Sequence, residues 1–142
     1  MQNLIYRWLL LIGAGHVILG VALLLLGGTP LLDPYLQSLQ ASTGETAPSL
    51  AQQELLRTQV RLLGPTVASW GLFYCALLQL YRRHGHSSIK PALYGALLLW
   101  CLLDSGLSAA AGLLLNVYLN LAVALAIALP LAFLRPAPTQ AH

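Results

Sequence analysis

The chain has 142 residues, of which 58% are hydrophobic and only 8% charged, with a mean hydropathy of +0.73. Soluble domains carry about a quarter charged residues, so water is not its solvent. Four spans of roughly 20 residues, each able to cross about 30 Å of hydrocarbon, use most of its length and leave no room for a separate soluble domain. The net charge of +3 comes from seven Lys and Arg that lie beside apolar runs, where positive charge marks a cytoplasmic flank, and no nucleic-acid partner is expected.

The first apolar run, Trp8 to Leu26, is interrupted only by His16, Gly13, Gly15 and Gly20. It exceeds the roughly 7–15 residues of a cleavable signal core and lacks a small-residue cleavage site, so an uncleaved span over about residues 5–27 is expected. From Gly27 to Pro48 the composition turns to Pro, Ser, Thr, Gln, Asp and Glu, which reads as a long periplasmic loop. Within it Asp33-Pro34-Tyr35-Leu36 suits the start of a short interfacial helix. Ser49 followed by Gln52 has the spacing of a capping box, which starts a helix near Leu50. That second helix spans the membrane over about residues 54–82 and, reaching roughly 45–50 Å, projects beyond the hydrocarbon. Pro65, after Gly64, is expected to bend it.

Arg82 to Lys90 forms a short basic connection, and Pro91 suits the first turn of a third span over about residues 90–110. A tight turn around Gly112 leads to a fourth span over about residues 115–134, in which a neighbouring helix or local adjustment can tolerate Pro130. The tail over 136–142 is expected to be disordered. The whole chain, 1–142, thus reads as one integral membrane domain: an all-α bundle of four transmembrane helices. Arg7, Arg82, Arg83, Lys90 and Arg135 flank one side, and Arg57 and Arg61 share the other with Asp33, Glu45 and Glu54. This bias puts both termini in the cytoplasm. The hairpins differ in loop length, which does not suggest an inverted-repeat transporter.

Ala92, Gly95 and Ala96, then Ser105, Gly106, Ser108, Ala109 and Gly112, and alternate alanines from Ala122 to Ala128 give small-residue spacings that permit close helix packing or a homodimer. Cys75 and Cys101 lie in apolar runs without a CxxC spacing and read as packing residues.

Asp104 is the most informative single residue, because an Asp at the centre of a membrane helix costs roughly 2.5–3.5 kcal/mol and requires a partner. By helix rise Asp104 lies about 20 Å from the cytoplasmic edge, Arg61 about 30 Å, and Asn116 and Asn120 roughly 21–27 Å. His16 falls near the midplane as a floor, and Trp100 lies one turn from Asp104 as a wall. His16, Arg61, Trp100, Asp104, Asn116 and Asn120 are therefore the candidate ligand-binding residues, lining a polar pocket in the outer half of the bundle. The competing expectation is structural: an Arg61–Asp104 ion pair, with the asparagines bonding between helices. His16 has no second intramembrane His for haem, and His84 and His86 suit lipid headgroups better than a metal. No metal, cofactor or catalytic residue is expected.

The run Arg57-Thr58-Gln59-Val60-Arg61-Leu62-Leu63-Gly64, with Gly71 and Asp104, resembles the broad class of small four-span DoxX-like proteins of bacterial inner membranes. That resemblance implies a bacterial inner-membrane location and a role as an accessory subunit or binder of a hydrophobic molecule. The loop from Thr29 to Pro48 departs from the shortest members. The leading expectation is a non-catalytic, multi-pass binder of a lipid, quinone or other apolar or amphipathic ligand, or a subunit of a membrane complex. A proton-coupled transporter using Asp104 and His16, and an enzyme acting on a lipid or isoprenoid with the same pair as acid and base, are the alternatives.

Overall fold

The computed structural model describes residues 1–42 and 49–137. Its helices are α1 (Gln2–Leu26), α2 (Asp33–Ser42), α3 (Leu50–His84), α4 (Ile89–Ala110) and α5 (Leu114–Phe133), with a 3₁₀ turn over Pro30–Leu32. Among the described residues there is no strand, and α1, α3, α4 and α5 are long and apolar enough to cross a membrane. Residues 43–48 of the expected periplasmic loop and 138–142 of the expected disordered tail lie outside the described residues. Pro136 and Ala137, the first residues of that tail, are held instead, because the Ala137 N–H donates to the Arg82 carbonyl at 2.9 Å.

Helix ends follow local chemistry. Ser49 and Gln52 form the capping box of α3, with bonds of 3.2 and 2.7 Å, which satisfy two of the free N–H groups of the first turn. Gly85 ends α3 at φ 65, a left-handed conformation that costs glycine nothing. Gly112, at φ 74, closes α4: its N–H bonds the Ala109 carbonyl at 3.0 Å and the Leu113 N–H reaches back to Ser108 at 2.8 Å, the paired bonds of a Schellman motif.

The closest packing is between α1 and α3. Gly13, Gly20 and Gly27 recur every seven residues on α1, and Gly64 and Gly71 do so on α3. A Cβ at Gly20 would collide with the Gly64 carbonyl oxygen and the Ala68 backbone, one at Gly71 with the Gly13 carbonyl, and one at Gly27 with Arg61. The two antiparallel helices thus touch backbone to backbone, where dispersion and Cα–H···O contacts hold them. The small residues expected to pack α4 are placed differently: a Cβ at Gly95 or Gly106 would meet open space. A seven-residue glycine spacing matched on two helices sets the close interface, which the scattered small residues of α4 lack.

The hairpins α1–α3 and α4–α5 meet around one apolar core of Leu9, Tyr74, Leu78, Tyr81, Ile89, Leu93, Leu97, Ile127, Leu131 and Leu134. By their places along the helices, these residues fill the half of the bundle nearest the chain termini. In the other half the buried residues include Gly20, Gly27, Leu36, Val60, Gly64, Ser108 and Asn120, none of which belongs to that core.

The end of α5 is tied down by side chains from the other long helices. Pro130 has no N–H, so the Ala126 carbonyl four residues earlier loses its helical donor; the Trp8 indole N–H takes that place at 3.0 Å. Tyr94 donates to Ala128 at 2.8 Å, Lys90 to Ala132 at 2.8 Å, Gln2 to Phe133 at 3.0 Å, Tyr81 to Leu134 at 3.3 Å and Arg82 to Arg135 at 2.7 Å. The last carbonyls of a helix have no partner in their own helix and, away from water, need such donors; Ala128, with Ala132 four residues on inside α5, takes Tyr94 as an additional donor.

Two outcomes test this packing. Gly64→Val should destabilise the detergent-solubilised protein by about 1–3 kcal/mol through overpacking, whereas Gly95→Ala should leave its unfolding midpoint unchanged or higher. Trp8→Phe should cost about 1 kcal/mol with Pro130 present and close to nothing in a Pro130→Ala background, where the helix supplies its own donor to Ala126; equal costs in both backgrounds would show that the indole bond does not serve that carbonyl.

Candidate functional site

Asp104, Asn120, His16 and Arg61 each find a partner inside their own hairpin. The Asn120 amide donates to Asp104 Oδ2 at 2.5 Å and to Ser105 Oγ at 3.3 Å, and the Ser105 hydroxyl lies 4.0 Å from Cys101 Sγ. This pairing follows from the turn: Asp104 stands eight residues before Gly112 and Asn120 eight after, so a tight antiparallel hairpin sets them at one height. Trp100 is half-buried against the edge of the core, and Asn116 is half-buried one turn beyond Asn120.

His16 and Arg61 engage the other hairpin. The His16 Nδ1 lies 2.8 Å from the Ile12 carbonyl of its own helix, and its ring centroid is 4.7 Å from that of Trp70 on α3. Arg61 Nε donates to the Leu24 carbonyl at 3.3 Å, with its alkyl stem lying over Gly27, where only a glycine leaves room. The ion pairs among the described residues belong to Arg57, which meets Asp33 at 2.9 Å and Glu54 at 3.9 Å. The expected Arg61–Asp104 pair is therefore replaced by two others: Arg57 with Asp33, which ties the start of α2 to α3, and Asp104 with Asn120. Of the six candidate residues, side-chain bonds join only Asp104 and Asn120, because backbone contact between α1 and α3 keeps Arg61 on its own hairpin.

The cavity lies elsewhere. Trp70, Phe73, Tyr74 and Leu77 of α3 face Ala92, Leu93, Ala96 and Leu97 of α4 over a floor that includes Ile127, enclosing about 140 Å³. It is a lateral groove between the two hairpins, formed where large side chains on one helix oppose two alanines on the other. Trp70 and Tyr74 stack at 5.2 Å with 10° between their planes. The buried Tyr74 hydroxyl has no hydrogen-bond partner among the described residues. None of the six expected residues lines this groove. Its signal was in the sequence all the same: Trp70, Phe73, Tyr74 and Leu77 share one helical face by their spacing, opposite alanines that read as packing residues. An apolar cavity of about 150 Å³ stays dry and admits a single ring, so this groove has room for a ring or a short alkyl segment.

Comparison with protein-family models, curated proteins and solved structures finds no match to this chain. Fold and site together define a multi-pass, all-helical chain with an apolar lateral groove.

The Asp104 assignment has a direct check. Asp104→Leu should destabilise the protein by about 1–3 kcal/mol, since it removes the acceptor of a buried amide, while Asp104→Asn should cost less. A double-mutant cycle between Arg61 and Asp104 should give a coupling below about 0.5 kcal/mol, the threshold for independent sites; stronger coupling would restore the ion pair.

Proposed function

We propose that this chain is a multi-pass protein of a bacterial inner membrane that binds an apolar or amphipathic membrane molecule without transforming it, alone or as an accessory subunit of a membrane complex. The observation that carries this reading is the α3–α4 groove, about 140 Å³ walled almost wholly by apolar side chains, as in sites that hold an oriented lipid-like ligand. A cavity of this size takes only part of such a ligand, and the remainder lies in the bilayer. Arg7, Arg82, Arg83, Lys90 and Arg135 flank the end that carries both termini, against Arg57 and Arg61 at the other. That asymmetry supports cytoplasmic termini. An enzyme built on His16 and Asp104 is disfavoured, because the two groups have separate partners on separate hairpins. A proton-coupled transporter is the second reading, favoured by one observation: Asp104 meets an amide and, among the described residues, no cation.

The full chain, purified in mild detergent, stripped of lipid and titrated with dioleoyl phosphatidylcholine, should retain one lipid in native mass spectrometry. The double variant Ala92→Leu/Ala96→Leu, which fills the groove from exposed positions, should weaken retention about tenfold or more, and Asp104→Asn should leave it unchanged. Retention indifferent to the groove variant but lost in Asp104→Asn would overturn the groove reading in favour of the transporter.

A further inference from the structure

Lys90 and Arg82 reach carbonyls around the end of α5, at Ala132 and Arg135, and Lys90 also sits 5.9 Å above the Tyr81 ring. Arg135 lies within electrostatic reach of Lys90, and its bonds are made by its backbone, so its guanidinium serves no α5 carbonyl. Lys90 and Arg135 thus lie near one another, with Arg82 bonded to the Arg135 carbonyl and to Asn3 beside them. Asp33 and Glu54 are engaged with Arg57 at the opposite end and Asp104 holds Asn120, while Glu45 lies outside the described residues. The cluster has no carboxylate partner among the described residues. Leu93 and Leu97, three and seven residues after Lys90 and so on its face of α4, line the apolar groove, and Lys90 to Leu97 spans about 11 Å by helix rise.

We propose that the groove and this cluster are one site for an anionic glycerophospholipid, its phosphate on Lys90 and Arg135 and an acyl chain entering past Leu93 and Leu97 towards Trp70. The assignment rests on the reading of the groove as a ligand site. It assigns the ligand a charge as well as an apolar body: Lys90 is held rigidly by Ala132 and Tyr81, and Arg135 completes a two-point contact with the phosphate. Near a membrane surface each such cation contributes attraction worth about fivefold in affinity.

The test uses the full chain, delipidated, with dioleoyl phosphatidylglycerol and dioleoyl phosphatidylcholine, two lipids with identical chains and different charge. The wild type should retain the phosphatidylglycerol at least about tenfold more tightly, from two cations. Arg135→Gln, which leaves the α5 carbonyl bonds in place, should weaken phosphatidylglycerol about fivefold and phosphatidylcholine, whose choline already offsets its phosphate, clearly less. Arg83→Gln is the control, since Arg83 follows Tyr74 by nine residues, about two and a half turns, and so faces away from the groove; it should change neither lipid. Equal wild-type affinities for the two lipids, or equal losses from Arg83→Gln and Arg135→Gln, would overturn the anionic assignment while Ala92→Leu/Ala96→Leu still weakens both. Binding of both lipids untouched by that groove variant would overturn the groove itself.

Discussion

The structure depends on how the last turns of α5 satisfy their carbonyl oxygens. Hydrocarbon offers no donors, so each carbonyl freed by Pro130 or by the helix end must be met by protein. Trp8 and Gln2 come from α1, Tyr81 and Arg82 from α3 and Lys90 from α4, and Tyr94 adds a further bond to Ala128. Since all of these bonds sit at the end near the chain termini, both hairpins are gathered there, and the apolar core from Leu9 to Leu134 forms in the same half. The groove between α3 and α4 opens on the flank of that core, and Tyr74, Leu93, Leu97 and Ile127 belong to both.

The two hairpins are built by different physics. Glycines at seven-residue intervals bring α1 and α3 together at the backbone, an interface that tolerates no added Cβ. By contrast, α4 and α5 are registered by a polar contact, the Asn120 amide on Asp104, across a turn closed by Gly112. Shape complementarity between backbones makes the first pair rigid. The second carries a buried amide that is costly to leave unpaired, which fixes its register without demanding that the helices approach closely.

Much of this was legible in the chain itself. The four apolar runs, the Ser49–Gln52 box, the short helix starting at Asp33, Pro91 in a first turn and the turn at Gly112 follow from local rules of length, capping and glycine conformation, and the structure has each of them. What escaped were choices between partners. Depth along a helix places Arg61, Asp104 and Asn120 in one layer but does not say which helices are neighbours; Gly27, by making room for the Arg61 stem, and the equal spacing of Asp104 and Asn120 about Gly112 decide that. The glycine rows of α1 and α3 were visible as residues but outshone by the more numerous small residues of α4, whose count says nothing about which face they occupy. Trp70 and Tyr74 escaped because an aromatic pair at helical spacing reads as core. Only the alanines across from them turn that face into the wall of a groove.

The same contrast bears on where chemistry can reside. A carboxylate that met a guanidinium across the bundle would lock the two hairpins at the loop end, and any ligand there would compete with an ion pair. Asp104 on Asn120 and Arg61 on Leu24 leave that end without such a lock. The Asp33–Arg57 pair instead fastens α2 to its own hairpin. Closure therefore rests on the apolar core and the α5 carbonyl bonds, both at the terminal end, and the groove beside them has walls held by the best-fastened part of the molecule. Rigid walls keep their shape when a ligand leaves, which favours selective binding over large conformational response. On these grounds the groove, and not the polar layer that first draws the eye in the sequence, is the better-built site.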